Sequence, residues 1–143
     1  MILANDPHSF SKPNDVAVTH MHLDLEVLFD QRILKGNVTL TIDNKTSADS
    51  LHLDANGLKI EKVLLEDGSE TGFNLGKTVD FLGQDLAIAI TPETKKVTVY
   101  YQTSASAPAL LWMKAEETAG KKHPFMFSQS QAILARTWIP CQD

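Results

Sequence analysis

The chain has 143 residues, one domain's length, and its 43% apolar and 22% charged residues are ordinary for a folded globular protein rather than a disordered one. Thirteen Lys and Arg against eighteen Asp and Glu give a net charge of −5, which disfavours nucleic acid and anionic lipid as partners. The single cysteine, Cys141, excludes an internal disulfide and a multi-thiolate zinc site.

Two textures divide the sequence. Residues 16–103 read as strand after strand, because apolar and polar side chains alternate with the period of two that a pleated strand requires. In the first strand Ala17, Thr19, Met21, Leu23, Leu25, Val27 and Phe29 are expected on one face, with Val18, His20, His22, Asp24, Glu26 and Leu28 on the other. Asp30-Gln31-Arg32 predicts a turn, Ile33–Ile42 a second strand with Val38, Leu40 and Ile42 inward, and Asp43-Asn44-Lys45 another turn. Leu51 and Leu53, then Leu58, Ile60, Val63 and Leu65, predict further short strands around Asn56-Gly57 and Asp67-Gly68. The unbroken apolar run Leu86–Ile90 predicts a strand covered on both faces. Val97, Val99 and Tyr101 alternate with Lys96, Thr98 and Tyr100 in the last clear strand, and only Lys114–Thr118 suggests a turn or two of helix. Many short strands with regular turns indicate an all-β fold, an antiparallel sandwich or saddle-like sheet.

The longest apolar runs, Leu86–Ile90 and Ala109–Met113, fall far short of the ~18–20 residues of a membrane-spanning helix. Met1-Ile2-Leu3-Ala4 leads at once into Asn5 and Asp6, without the basic and apolar regions of a secretory leader, so the expected location is cytoplasmic. Chemistry-bearing motifs are scarce. His20 and His22 share one strand face, as some metal sites require, but a solvated polar face with Asp24 and Glu26 accounts for them and no third ligand is placed. No histidine precedes a glutamate, so the zinc-peptidase motif H-E-x-x-H is missing, as are a G-x-S-x-G elbow and a glycine-rich phosphate loop. Cys141 reads as a small core or interface residue rather than a nucleophile.

The last third is unlike the rest. Residues 1–113 carry 9 basic and 15 acidic side chains and residues 114–143 carry 4 and 3. The later segment also concentrates aromatic side chains, a composition that packs against something else. Its apolar Trp138-Ile139-Pro140-Cys141 run reaches almost to Asp143, which suggests a domain cut from a longer polypeptide.

The stretch Thr118-Ala119-Gly120-Lys121-Lys122-His123-Pro124-Phe125-Met126-Phe127-Ser128-Gln129-Ser130-Gln131-Ala132-Ile133-Leu134-Ala135-Arg136-Thr137-Trp138-Ile139-Pro140-Cys141-Gln142-Asp143 resembles the N-terminal domain of the leukotriene A4 hydrolase-type zinc aminopeptidases. Asp6-Pro7-His8-Ser9-Phe10-Ser11 and Val18-Thr19-His20 are similar to that family's opening, so the resemblance covers essentially residues 1–143, read as a single N-terminal β-domain. It implies a saddle-shaped, mostly antiparallel β-structure, with the catalytic zinc, H-E-x-x-H and a later glutamate in a following domain and none of them in this chain. It further implies a parent enzyme that removes N-terminal residues from peptides with a zinc-activated water. This chain then supplies one wall of the cleft, packs on the catalytic and C-terminal domains, and is inactive alone.

Within the S-Q-x-Q-A match the resemblance implies substrate binding by Gln131 near the free α-amino group, by Gln129 at the neighbouring side-chain pocket, and by the Ala132 backbone. Amides suit these tasks because they donate and accept without adding charge. Leu134 stands where close relatives often have histidine, and only the aminopeptidase activity is carried over. Without partner domains, Phe125–Cys141 is expected to be partly uncovered, and self-association follows from that. A stand-alone β-sandwich module binding carbohydrate or protein is the alternative reading. A small hydrolase built on His20 and His22 is a third.

Overall fold

The computed structural model describes residues 6–143, so the reading of Met1–Ala4 lies outside the described residues. Ten strands run in chain order: β1 (Val16–Leu28), β2 (Ile33–Asn44), β3 (Ser50–Ala55), β4 (Lys59–Leu65), β5 (Glu70–Thr71), β6 (Phe73–Leu75), β7 (Gln84–Ala89), β8 (Lys96–Gln102), β9 (Leu110–Met113) and β10 (Phe125–Ser128). All pairings are antiparallel. They build a five-stranded sheet β1-β2-β8-β4-β5, a three-stranded sheet β3-β7-β6 and the separate hairpin β9-β10. The all-β, antiparallel expectation is what the chain adopts.

One core lies between the two larger sheets. Val38, Leu40, Val63, Val97, Val99 and Tyr101 come from the five-stranded sheet, and Leu51, Leu53, Leu86 and Ile88 from the three-stranded sheet, all fully buried. The inward sets expected for β2 and β8 are therefore correct. Tyr101 brings a hydroxyl into this core, and the Trp138 carbonyl accepts its hydrogen bond at 2.8 Å. A buried phenol finds a partner in this way because leaving one unpaired costs more than the bond returns.

Two expectations are corrected. The face of β1 changes phase at a β-bulge, since Val18 pairs with Ile42 and His20 with Thr41, leaving Thr19 as the extra residue. Val16 and Val18 thus point inward with Met21, Leu23 and Leu25, while Thr19 and Val27 are exposed. Leu86–Ile90 is not covered on both faces. Leu86, Ile88 and Ile90 are buried, whereas Ala87 is half-buried and Ala89 exposed, so the apolar run hides an alternation in which small alanines take the outer side. The turn of helix expected at Lys114–Thr118 is present as one 3-10 turn, Ala115–Glu117. β2 also continues through Asn44, whose side chain then closes the following loop with hydrogen bonds to the backbone N–H and C=O of Ala48.

Candidate functional site

The resemblance placed its site residues after β10, and the local structure there is built outward from the hairpin. Along β9 and β10 the register pairs Phe125 with Met113, Met126 with Trp112 and Phe127 with Leu111. Alternation sends Trp112 and Met126 inward onto Leu34, Ala107 and Leu110. The opposite face carries Leu111, Phe125 and Phe127 at 46%, 53% and 43% exposure, which together form an unpartnered apolar surface.

Beyond Ser128 the ladder gains one more bond, Gln129 N–H to the Ala109 carbonyl at 2.8 Å. The chain then turns. The Gln129 side-chain oxygen accepts from the Gln131 N–H at 3.0 Å, the Gln131–Ala132 peptide is cis, and Leu134 N–H donates to the Ser130 carbonyl. Trp138 Nε1–H donates to Ser130 Oγ at 3.0 Å, fastening the turn to the segment that follows. Gln129, Gln131 and Ala132 are all exposed, and they stand close together on one loop held at both ends. The two depressions nearest the hairpin do not include them. One is lined by Phe29, Arg32, Trp112, Lys114 and Glu116, the other by Met113, Thr118, His123 and Phe125. The glutamines thus lie on open surface, and the side chain of Gln129 is already partly engaged in shaping its own loop.

What sequence reasoning missed lies directly behind this loop. Arg136 is 1% exposed and Asp54 fully buried, with Arg136 NH1 3.4 Å from Asp54 Oδ1. The guanidinium also donates to Asp143 Oδ2 at 3.1 Å, the Leu82 carbonyl at 2.8 Å and the His8 carbonyl at 2.9 Å. Asp54 accepts from Ser9 Oγ, from Phe10 N–H at 2.7 Å and from Asp143 N–H at 3.2 Å. A buried charge pair is tolerated only when its remaining donors and acceptors are filled, and here both ends of the chain fill them. Gly83 belongs to the same construction: its φ of +83° is a glycine conformation, and a Cβ there would lie 2.3 Å from the Ala55 carbonyl oxygen.

The expectation of a partly uncovered Phe125–Cys141 is therefore corrected for its second half. Arg136, Thr137, Ile139, Pro140 and Cys141 are buried, because the chain returns to the edge of β3, where Asp54 and Cys141 exchange both backbone hydrogen bonds. The apolar run near Asp143 fills this domain's own core. Cys141 is a core residue, as read, and burial first, then the Asp143 and Asp54 carboxylates, push its thiol up to about 12. An unfolded thiol ionises near its ordinary ~8.5. Burial of the neutral thiol contributes stability in full below that value, and the contribution is lost as pH rises toward 12. Tyr101, raised by the same burial, acts in the same direction. Urea midpoints should fall between about pH 9 and 12, and the fall should be shallower in Cys141→Ala; parallel curves would contradict this.

His20 and His22 are exposed on β1, opposite Thr41 and Thr39. Among the described residues no three His, Cys, Asp or Glu side chains gather as a metal site would need.

The geometry can be set beside known proteins. Residues 17–143 match the Peptidase M1 N-terminal domain. The chain is 40% identical to leukotriene A-4 hydrolase of Xenopus laevis over 96% of its own length and 24% of the relative's. To leucine aminopeptidase 2-2 of Scheffersomyces stipitis it is 39% identical, over 96% of this chain and 22% of that one. Its structure is similar to yeast LTA4 hydrolase in complex with bestatin, with a TM-score of 0.89 and 32% identity, covering the whole of this chain and 23% of that one. A Deinococcus radiodurans M1 zinc metallopeptidase bound to a Tyr-Ser-Ala substrate shares the fold at TM-score 0.64 and 19% identity, over 93% of this chain and 30% of the other. The chain spans about a quarter of the length of these relatives.

Proposed function

This chain belongs to the peptidase M1 N-terminal domain family, and from that premise we propose that it is one wall of the substrate cleft of a longer zinc aminopeptidase, without peptidase activity of its own. The observation that carries the proposal is the exposed Gln129–Ala132 loop, fastened to Ala109 just before β9 on one side and to Trp138 on the other. Such a loop presents amides at fixed positions while leaving the facing wall, the zinc and the water-activating glutamate to other domains. Gln131 is assigned to the substrate's α-amino end, Gln129 to the adjoining side-chain pocket and the Ala132 backbone to contacts between them. The relatives named leucine aminopeptidase and M1 zinc metallopeptidase support the reaction class. The test is reconstitution: the chain mixed with the remainder of its parent enzyme and zinc should hydrolyse an alanyl amide, and neither piece should do so alone. Cleavage of the alanyl amide by this chain alone would overturn the proposal.

The apolar face of Leu111, Phe125 and Phe127 is assigned to packing on those other domains. In their absence it is the surface through which the chain self-associates. Sedimentation velocity at rising concentration should show association that Phe127→Glu suppresses, with the thermal midpoint nearly unchanged because the side chain is exposed. Equal association in both proteins would remove this face from the account.

A further inference from the structure

The outer face of the three-stranded sheet holds a group of side chains that the cleft wall does not use. Ser50 and His52 are two apart on β3 and so project to the same side, since Leu51 and Leu53 between and beyond them are buried. Ser50 Oγ lies 3.2 Å from His52 Nε2, and His52 Nδ1 lies 3.0 and 2.9 Å from the two carboxylate oxygens of Asp85 on β7. An ionised carboxylate can only accept, so Nδ1 carries the proton of the neutral ring and Nε2 is left as the acceptor for the Ser50 hydroxyl. The His52 side chain is 17% exposed and that of Asp85 32%, which keeps the chain of bonds partly shielded but reachable.

Beside this relay runs a trough with a floor of small residues. Across the sheet Ser50 pairs with Ala89 and His52 with Ala87, and Ala87 pairs in turn with Asn74 of β6. Ser50, Asn74, Phe73, Ala87, Ala89 and Asp49 line the depression. Its side walls are two strand spacings apart, about 10 Å, room for a small acyl group lying over the alanines. The alanines that broke the expected two-sided burial of β7 are what opens this trough.

We propose that Ser50 is an acyl-accepting nucleophile, with His52 as its general base and Asp85 as the residue that fixes the histidine's tautomer, acting on small neutral or cationic acyl esters. In the forward step Ser50 Oγ bonds to the ester carbonyl carbon as its proton passes to His52 Nε2, and the alkoxide leaves with that proton. Water then attacks the acyl-serine, giving its proton to His52 and releasing the carboxylic acid with Ser50 restored. Asn74 lines the far wall, in register with His52 rather than Ser50, and offers an amide to the bound ester. Asp49 sets the preference, because its carboxylate repels anionic acyl groups.

The test uses this chain, an alkyl fluorophosphonate and p-nitrophenyl acetate. Fluorophosphonate should form a single adduct, located at Ser50 by peptide mass mapping, as Oγ displaces fluoride. Ser50→Ala should remove the adduct, and His52→Gln should slow labelling by roughly 10²–10⁴-fold, the usual size of a general-base contribution. Asp85→Asn should lower kcat for the acetate ester even when rates are normalised to the folded fraction read by circular dichroism, a loss that fewer folded molecules would not produce. Retention of ester hydrolysis in Ser50→Ala would assign the reaction to the His52 imidazole alone and overturn the proposal. An unlabelled Ser50 in the wild-type chain would overturn it too, leaving the three residues as hydrogen-bond partners of the sheet.

Discussion

Arg136→Met should lower the unfolding free energy of this chain by about 3–5 kcal/mol, the usual cost of removing one member of a buried ion pair. The cost arises from what is left behind. Asp54 would remain fully buried with its negative charge, and the Leu82 and His8 carbonyls would lose their guanidinium donors. For a domain of this size such a loss corresponds to roughly 10–20 °C in the thermal midpoint. Asp54→Leu should be similarly costly, since it strands Arg136 together with the Phe10 and Asp143 N–H groups. The double variant should cost clearly less than the sum, because neither charge is then left alone. It should still fall short of wild type, as the backbone partners stay unfilled. A midpoint within 2–3 °C of wild type for Arg136→Met would mean that the network binds no more strongly than water does.

This network also explains why the sequence was legible only in part. The alternation of Val38, Leu40 and Ile42, or of Val97, Val99 and Tyr101, is a local signal, and it identified buried faces that the structure retains. The Thr19 bulge carries no such signal, since inserting one residue in a ladder changes the phase without changing composition. Asp54 and Arg136 lie 82 positions apart, and nothing in their neighbourhoods marks either as buried. A lone arginine after Ala135 and a lone aspartate after Leu53 read as surface residues, since both types are rarely buried unless paired. The strands β9 and β10 were overlooked because their mixed aromatic pattern serves two coverings, one inside this domain and one exposed face. Gln129, Gln131 and Ala132 were reachable only through a resemblance, for exposed amides have no periodicity that separates binding from solvation.

The second large effect is expected at Gln131. In the reconstituted enzyme, Gln131→Ala should reduce kcat/KM for an alanyl amide by roughly 10–150-fold, the value of about 1.5–3 kcal/mol for a hydrogen bond to a charged group. On the proposed assignment the substrate's α-ammonium is the charged partner, and the Gln131 side-chain oxygen is the acceptor offered to it. That ammonium takes no part in bond breaking, so the interaction is nearly equal in the bound and transition states. The loss should therefore appear mainly as a higher KM with kcat largely kept. Gln129→Ala should do more than remove an amide, because Gln129 Oε1 holds the Gln131 N–H at 3.0 Å. Loosening that turn moves Gln131 as well, so the double variant should cost less than the two single losses combined. Thermal midpoints of both single variants should stay near wild type, since neither side chain is buried. Unchanged kcat/KM in Gln131→Ala, with the reconstituted enzyme otherwise active, would reduce this loop to a scaffold and move substrate recognition to the facing wall.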